Sequence, residues 1–159
     1  MEKALNEHIA LEAYASNYYL SAASWSEITG YEGATKFFYN QSDEERQHML
    51  KIFHYLNGLG LPAEVPSVKK PPKNLKSLEA FCKAALNNEQ TVTKSIHKIV
   101  ELAQKEKDHS TYNFLQWFVN EQIEEESRFE TVLQKFNLIG RDKPAIHEID
   151  KILASMHAK

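Results

Sequence analysis

Cysteine, glycine and proline are all scarce in this chain of 159 residues, which has one Cys, five Gly and five Pro. The single Cys82 excludes an intrachain disulfide framework and any zinc or iron–sulfur site built on several cysteines. Glycine and proline are both absent from Lys73 to Ile139. So long a stretch without helix breakers argues against a turn-rich β-sandwich, a collagen-like chain and a disordered linker protein.

Long apolar runs and basic clusters are lacking as well. No apolar run approaches the roughly 18 residues of a membrane span, and the N-terminus has no signal-peptide core. We therefore expect no membrane association and a cytoplasmic location. The 19 basic and 22 acidic residues give a net charge of −3 without a basic patch, so no nucleic-acid partner is expected. Most of the acidic residues are glutamates, which favour helices.

Apolar residues recur in alternating steps of three and four along most of the chain, the pattern of bundle helices. The pattern predicts a single domain over residues 1–159 whose bundle covers about 3–137. The predicted helices cover about residues 3–29, 34–57, 76–105, 110–137 and, for a short fifth helix, 144–156.

The lengths of the links predict the topology. Short links near residues 31 and 108 make two antiparallel hairpins. The link over residues 58–77 contains four prolines and can extend about 60 Å, whereas a helix of the bundle is only about 40 Å long. We therefore predict an all-α four-helix bundle with one long crossover between helices two and three, plus a short fifth C-terminal helix.

The apolar stripe along each of the four long predicted helices, here called its seam, is interrupted near its middle by ionisable or amide side chains. The spacing from the first to the second helix, 12 to 45, equals the spacing from the third to the fourth, 89 to 122. In the two hairpins these residues lie at the same distances from the turn, and this places all of them at one level of the bundle. The interrupting residues are Glu12, Glu45, His48, Glu89, Gln122 and Glu125.

Buried carboxylates at one level require either protons or a divalent metal, because each buried charge costs several kcal/mol. Carboxylates with one imidazole and no thiolate suit iron or manganese better than structural zinc. Paired glutamates with Glu-x-x-His motifs are the pattern of di-iron carboxylate bundles, and here one motif reads Gln122-x-x-Glu125. Tyr19 lies seven residues after Glu12, so its hydroxyl is predicted to face the site.

A second acidic concentration surrounds this level, and its spacing fits either a third cation site facing away from the seam or a solvated helix face. Its candidate ligands are Glu44, Glu121, Glu124 and Glu125. Glu126 is expected to be solvated. The remaining histidines have no partner at ligand spacing and, like Cys82, are expected to be structural or exposed; they are His8, His54, His97, His109, His147 and His157.

The chain resembles bacterial non-haem ferritins over essentially its full length, and four segments carry the resemblance. They are Leu5–Glu7 with Leu11–Glu12 and Tyr19, then Glu44–His48, Asn88–Gln90 and, most specifically, Asn113–Glu126. The resemblance implies a ferritin-like bundle that stores iron as ferric oxo-hydroxide mineral inside a homo-oligomeric shell of 24 subunits. It also implies ferroxidase activity with Fe(II) and with dioxygen or hydrogen peroxide.

The same resemblance implies roles for the site residues. Glu12, Glu45 and His48 would bind a first iron, and Glu45 would bridge to a second iron held by Glu89 and Glu125. Gln122 would donate hydrogen bonds, and Tyr19 would be a hydrogen-bonding or electron-donating phenol. A third iron would bind the second acidic concentration.

Departures from related families narrow the prediction. Bacterioferritins place a haem-binding Met where this chain has Arg46, and a His where it has Glu125, so no haem is expected. One cysteine cannot supply the iron domain of rubrerythrin-like proteins. The acids of animal ferritin pores are replaced by Tyr112 and Leu115, which leaves the iron entry route open.

Two alternatives remain open at this point. Another di-iron bundle protein, of peroxide-reducing or oxygenase type, would form a much smaller oligomer and retain no mineral. A non-catalytic shell subunit would nucleate mineral without fast oxidation of Fe(II).

Overall fold

The computed structural model describes residues 1–156, and within them it contains five helices and no strand. This confirms the predicted all-α fold, and each helix begins and ends close to its predicted bounds. His157 lies outside the described residues. The helices are α1 Glu2–Thr29, α2 Glu32–Gly58, α3 Leu78–Glu106, α4 His109–Ile139 and α5 Lys143–Ser155.

Short turns close both hairpins. Gly30 ends α1 with φ 91°, a left-handed conformation that glycine adopts without strain. The second hairpin contains no glycine, and Lys107 takes the left-handed conformation there with φ 58°. Asp108 then begins α4, because its carboxylate accepts a hydrogen bond from the backbone N–H of Thr111 at 3.0 Å.

The crossover runs along α1. Near the start of α1, the Asn6 side chain donates to the Pro62 carbonyl at 3.1 Å and accepts from the Glu64 N–H at 2.8 Å. Near the end of α1, Leu75 and Trp25 both pack against the same core cluster. The crossover therefore spans the length of the bundle and leaves α2 and α3 parallel, as predicted.

Two apolar clusters form the core, one on each side of the polar level. One cluster contains Leu5, Ile9 and Ile52, and the other contains Tyr19 and Phe129. Since residue 12 lies between the α1 members of the two clusters, the interrupted seams meet in a polar layer between them. None of the helices in residues 1–156 is long and apolar enough to cross a membrane.

The fifth helix docks on the first turn of α2. The Asp150 carboxylate accepts from the backbone N–H groups of Gly33 at 3.1 Å and Ala34 at 2.7 Å, which caps the positive end of α2. A Cβ at Gly33 would lie 1.9 Å from the Asp150 carbonyl oxygen. Only glycine permits this approach of the two helices.

We predict that Gly33→Ala displaces α5 and lowers the midpoint of thermal unfolding by several degrees, since overpacking costs about 1–3 kcal/mol. Circular dichroism measures the change. Gly58→Ala is the matched control, because a Cβ there meets no atom within 4 Å and Ala favours helix. Equal midpoints for the two variants would contradict the docking role of Gly33.

Candidate metal centre

All four long helices contribute to the polar layer. Glu12 comes from α1, Glu45 and His48 from α2, and Glu89 from α3. Gln122 and Glu125 come from α4, where their spacing of three places them on one face. The structure buries all six side chains, none more than 3 % exposed.

Ligand atoms in the layer cluster into three groups, within each of which they lie no more than 4.8 Å apart. The first group joins Glu45 and His48 with Glu12, and the second joins Glu45 with Glu89 and Glu125. Glu45 is therefore shared, as a bridging ligand must be. The third group consists of Glu44, His48 and Glu121.

Several buried ligand atoms have no hydrogen-bond partner among the described residues. They include Oε2 of Glu12, both carboxylate oxygens of Glu45 and Nδ1 of His48. The His48 Nδ1 lies 3.3 Å from Oε2 of Glu45 but is not aligned as a hydrogen bond. Unpaired buried polar atoms cost about 1–3 kcal/mol each, so convergent ones indicate a ligand. Hard oxygens with one imidazole nitrogen fit iron.

The protonation of the layer follows from its burial. Burial raises the pKa of Glu45 well above its ordinary value, and the neighbouring carboxylates of Glu89, Glu12 and Glu125 raise it further. Burial likewise raises the pKa of Glu89 to about 7 and that of Glu125 to about 8. Without metal, the layer therefore retains protons at neutral pH.

Glu12 behaves differently from the other carboxylates of the layer. Burial raises its pKa, but the hydrogen bond and electrostatic interaction with His8 lower it more, so that the net shift is downward. His8 donates from Nε2 to Oε1 of Glu12 at 2.9 Å, and its Nδ1 lies 2.8 Å from Oγ of Ser95. The imidazole thus holds Glu12 ionised with its Oε2 facing the first group.

Tyr19 and Gln122 both bind Glu89. The Tyr19 hydroxyl donates to Oε1 of Glu89, and the Gln122 amide donates to Oε2 at 3.2 Å. The Tyr19 ring stacks on Phe38 and Phe129, with centroid distances of 6.2 and 5.8 Å, which fixes its position. Burial and the carboxylates nearby raise the pKa of Tyr19 well above its ordinary value, so the phenol keeps its proton.

The second acidic concentration is only partly assembled. Glu44 and Glu121 lie at the edge of the layer, 9 % and 7 % exposed, and they group with His48. Glu124 is exposed and belongs to none of the three groups found in the described residues. Glu126 is half-buried and accepts a hydrogen bond from the Thr93 hydroxyl at 2.5 Å.

Three residues of the centre escaped the sequence analysis. The expectation that His8 has no partner at ligand spacing is wrong, because it hydrogen-bonds Glu12 one helical turn away. Its spacing of four residues was the signal. Gln41 and Arg128 both bind Glu125, and Gln41 occupies a core-facing position of α2, which was a further signal.

A four-helix bundle with a buried carboxylate layer defines the class of carboxylate-bridged helical bundles. A family model described as the ferritin-like domain matches residues 2–139. A probable bacterial non-heme ferritin-like protein of Haemophilus influenzae is 40% identical over 157 residues, covering 99% of this chain and 95% of that one. The bacterial non-heme ferritin of Campylobacter jejuni is 40% identical over 97% of this chain and 92% of its own.

Solved structures agree with the sequence comparisons. The open-pore ferritin of the archaeon Archaeoglobus fulgidus matches with a TM-score of 0.94 at 39% identity, covering 99% of this chain and 97% of that one. The chain therefore belongs to the ferritin family. The resemblance predicted from the segments quoted above is confirmed.

We predict that metal binding releases protons at neutral pH. The raised pKa values of Glu89 and Glu125, about 7 and 8, mean that a cation displaces protons below this range and finds the carboxylates ionised above it. Zn²⁺ affinity should therefore fall as pH decreases through about 8 to 7. Calorimetry in two buffers of different ionisation enthalpy counts the protons.

Asp43→Asn, an exposed neighbour in α2, is the control and should release as many protons as the unmodified protein. Glu89→Gln should release fewer. Binding at pH 7 without net proton release would contradict the protonated layer.

Proposed function

We propose that the protein is an iron-storage ferritin whose buried layer oxidises Fe(II). The observation that carries this proposal is Glu45, a fully buried carboxylate that is shared by two ligand groups and has neither oxygen paired among the described residues. Such a carboxylate costs free energy in the absence of a cation and suits two cations at once.

The proposed substrates are two Fe(II) ions and dioxygen or hydrogen peroxide. Glu12, Glu45 and His48 bind one ion, while Glu45, Glu89 and Glu125 bind the other. Two ions held by one bridging carboxylate present two electrons to a single oxidant, which removes the need for a chance encounter. Oxygen ligands stabilise the higher charge of Fe(III) more than that of Fe(II), and this favours the product.

The chain's own groups prepare the layer for this reaction. His8 keeps Glu12 ionised, so the first ion meets a charged ligand. Tyr19 and Gln122 hold the Glu89 carboxylate in place through both oxygens. Protons on Glu45 and Glu125 leave when iron enters, which keeps the buried layer close to neutral.

Oxidised iron then needs a way out of the layer. Glu44 and Glu121 lie at the edge of the layer beside His48, and Glu124 lies farther out on the exposed side of α4. We propose that these carboxylates relay iron to a storage cavity, where it hydrolyses to ferric oxo-hydroxide. No haem takes part.

A storage cavity requires assembly, and we propose a homo-oligomeric shell of 24 subunits. An apolar strip on α1 supports association: Leu20 and Ile28 are 48 % and 87 % exposed beside a groove lined by Trp25, Pro71 and Pro72. Side chains of this kind are expected to be covered by a neighbouring subunit.

We predict that Glu45→Gln slows oxidation of Fe(II) at two ions per subunit by at least about tenfold, because the neutral amide cannot bridge two cations. Stopped-flow absorbance under air or peroxide measures the rate. Asp43→Asn, which removes one exposed charge from the same helical turn, should keep the normal rate. An unchanged rate in Glu45→Gln would refute the assignment and favour a subunit that only nucleates mineral.

We also predict a particle of about 24 × 18.3 kDa by light scattering, with iron retained after chelation of the free ion. Retention of mineral needs an enclosed space, which the proposed shell supplies. A monomer or dimer that oxidises Fe(II) and retains no mineral would contradict storage and favour the peroxide-reducing or oxygenase class.

A further inference from the structure

The guanidinium of one largely buried arginine, Arg128, lies between two of the ligand groups. The Arg128 side chain, on α4 one turn after Glu125, is only 11% exposed. Its Nη1 lies 3.0 Å from both carboxylate oxygens of Glu125 and 3.1 Å from Oε2 of Glu44. The same nitrogen donates to Oε1 of Gln41.

The two carboxylates that bind Arg128 belong to different groups. Glu125 is a member of the group with Glu45 and Glu89, and Glu44 is a member of the group with His48 and Glu121. Within residues 1–156, no other lysine or arginine forms an ion pair with a member of the three groups. Arg128 therefore contacts both the second group and the third, and it leaves the first alone.

The position of the guanidinium is set by Gln41. The Gln41 carbonyl oxygen accepts from Arg128, while its amide donates to Oε2 of Glu125 at 3.0 Å. Gln41 is fully buried, so this three-residue contact is fixed by the core rather than by solvent. An arginine also keeps its charge at every relevant pH, so the positive charge is permanent.

Free lone pairs are unevenly distributed between the first and second groups. In the first group, Glu12, Glu45 and His48 offer unpaired buried atoms. In the second group, Glu89 binds Tyr19 and Gln122 through its two oxygens, and Glu125 binds Arg128 through both of its own. A cation in the first group meets unpaired atoms, whereas a cation in the second group shares Glu45 but must compete with Arg128 for the oxygens of Glu125.

We infer that Arg128 is an internal competitor of metal that makes the second ligand group bind its cation more weakly than the first. This inference rests on the proposed function. The guanidinium occupies carboxylate lone pairs and repels a divalent cation across the same low-dielectric layer. Because Arg128 also binds Glu44, cations in the second and third groups together would leave it without an anionic partner. Arg128 thus disfavours simultaneous occupation of the second and third groups, and this keeps iron from being trapped as it moves from one to the other.

Calorimetric titration of the assembled protein with Zn²⁺, a redox-inert cation, tests the inference without relying on activity. Arg128→Met keeps the aliphatic stem and removes the charge, so the second dissociation constant should tighten by at least about tenfold while the first stays unchanged. Arg128→Lys keeps the charge and should remain within a few-fold of the unmodified protein. Zinc anomalous diffraction assigns each binding event to its group.

Arg141→Met is the matched control. Arg141 is an exposed arginine whose ion pair is with Glu79, outside the three groups, so its loss should change neither constant. If Arg128→Met does not assemble, Arg128→Gln replaces it, since an amide can still bond Gln41 and Glu44 without the charge.

Two results would overturn the inference: an unchanged second constant in Arg128→Met, or a weaker one, which would mean that Arg128 organises Glu125 for metal. Failure of the proposed function has a different signature. In that case the unmodified protein would bind no Zn²⁺ at Glu12, Glu45 and His48, a group that Arg128 does not touch.

Discussion

Mutual repulsion of buried carboxylates is the constraint on which the rest of the structure depends. Glu12, Glu45, Glu89 and Glu125 share one layer of the bundle, and none of them is exposed. Their burial opposes folding, so the stability must come from elsewhere. The two apolar clusters on either side of the layer supply it, because long helices can bury apolar stripes both above and below the site. The length of the bundle is thus a requirement of the site it contains.

The protein relieves this repulsion by a different means at each carboxylate. His8 binds Glu12, Tyr19 donates to Glu89, and Arg128 binds Glu125. Glu45 alone of these four has no partner outside the three ligand groups among residues 1–156. The partners therefore decide which oxygen atoms stay free, and the free atoms converge on the first group. These hydrogen-bond and ion-pair partners stabilise the buried layer, and they also determine the order in which cations should bind.

The fold and the level of the site were predictable because both depend on periodic features of the sequence. Apolar spacing determined the helices, and distances to the turn that match between the two hairpins placed the interrupting residues at one level. The partners were less predictable, since a contact such as Arg128 with Glu44 joins residues of different helices and depends on helix rotation and side-chain reach. The exposure of Glu124 was not predictable for a similar reason. Its spacing made it a neighbour of Glu121, but only the packing of the helices shows that it faces outward.

Weak binding at the second group is an advantage for a protein that passes its metal on to a store and does not retain it in the buried layer. Glu125 gives up its contacts with Arg128 when a cation enters and regains them when it leaves. The free energy recovered on departure offsets part of the cost of releasing a highly charged ion from a buried site. The first group recovers nothing comparable, since no arginine or lysine pairs with Glu12, Glu45 or His48 within residues 1–156. The first group, which Arg128 does not contact, should therefore hold its cation, while the second group passes its cation outward.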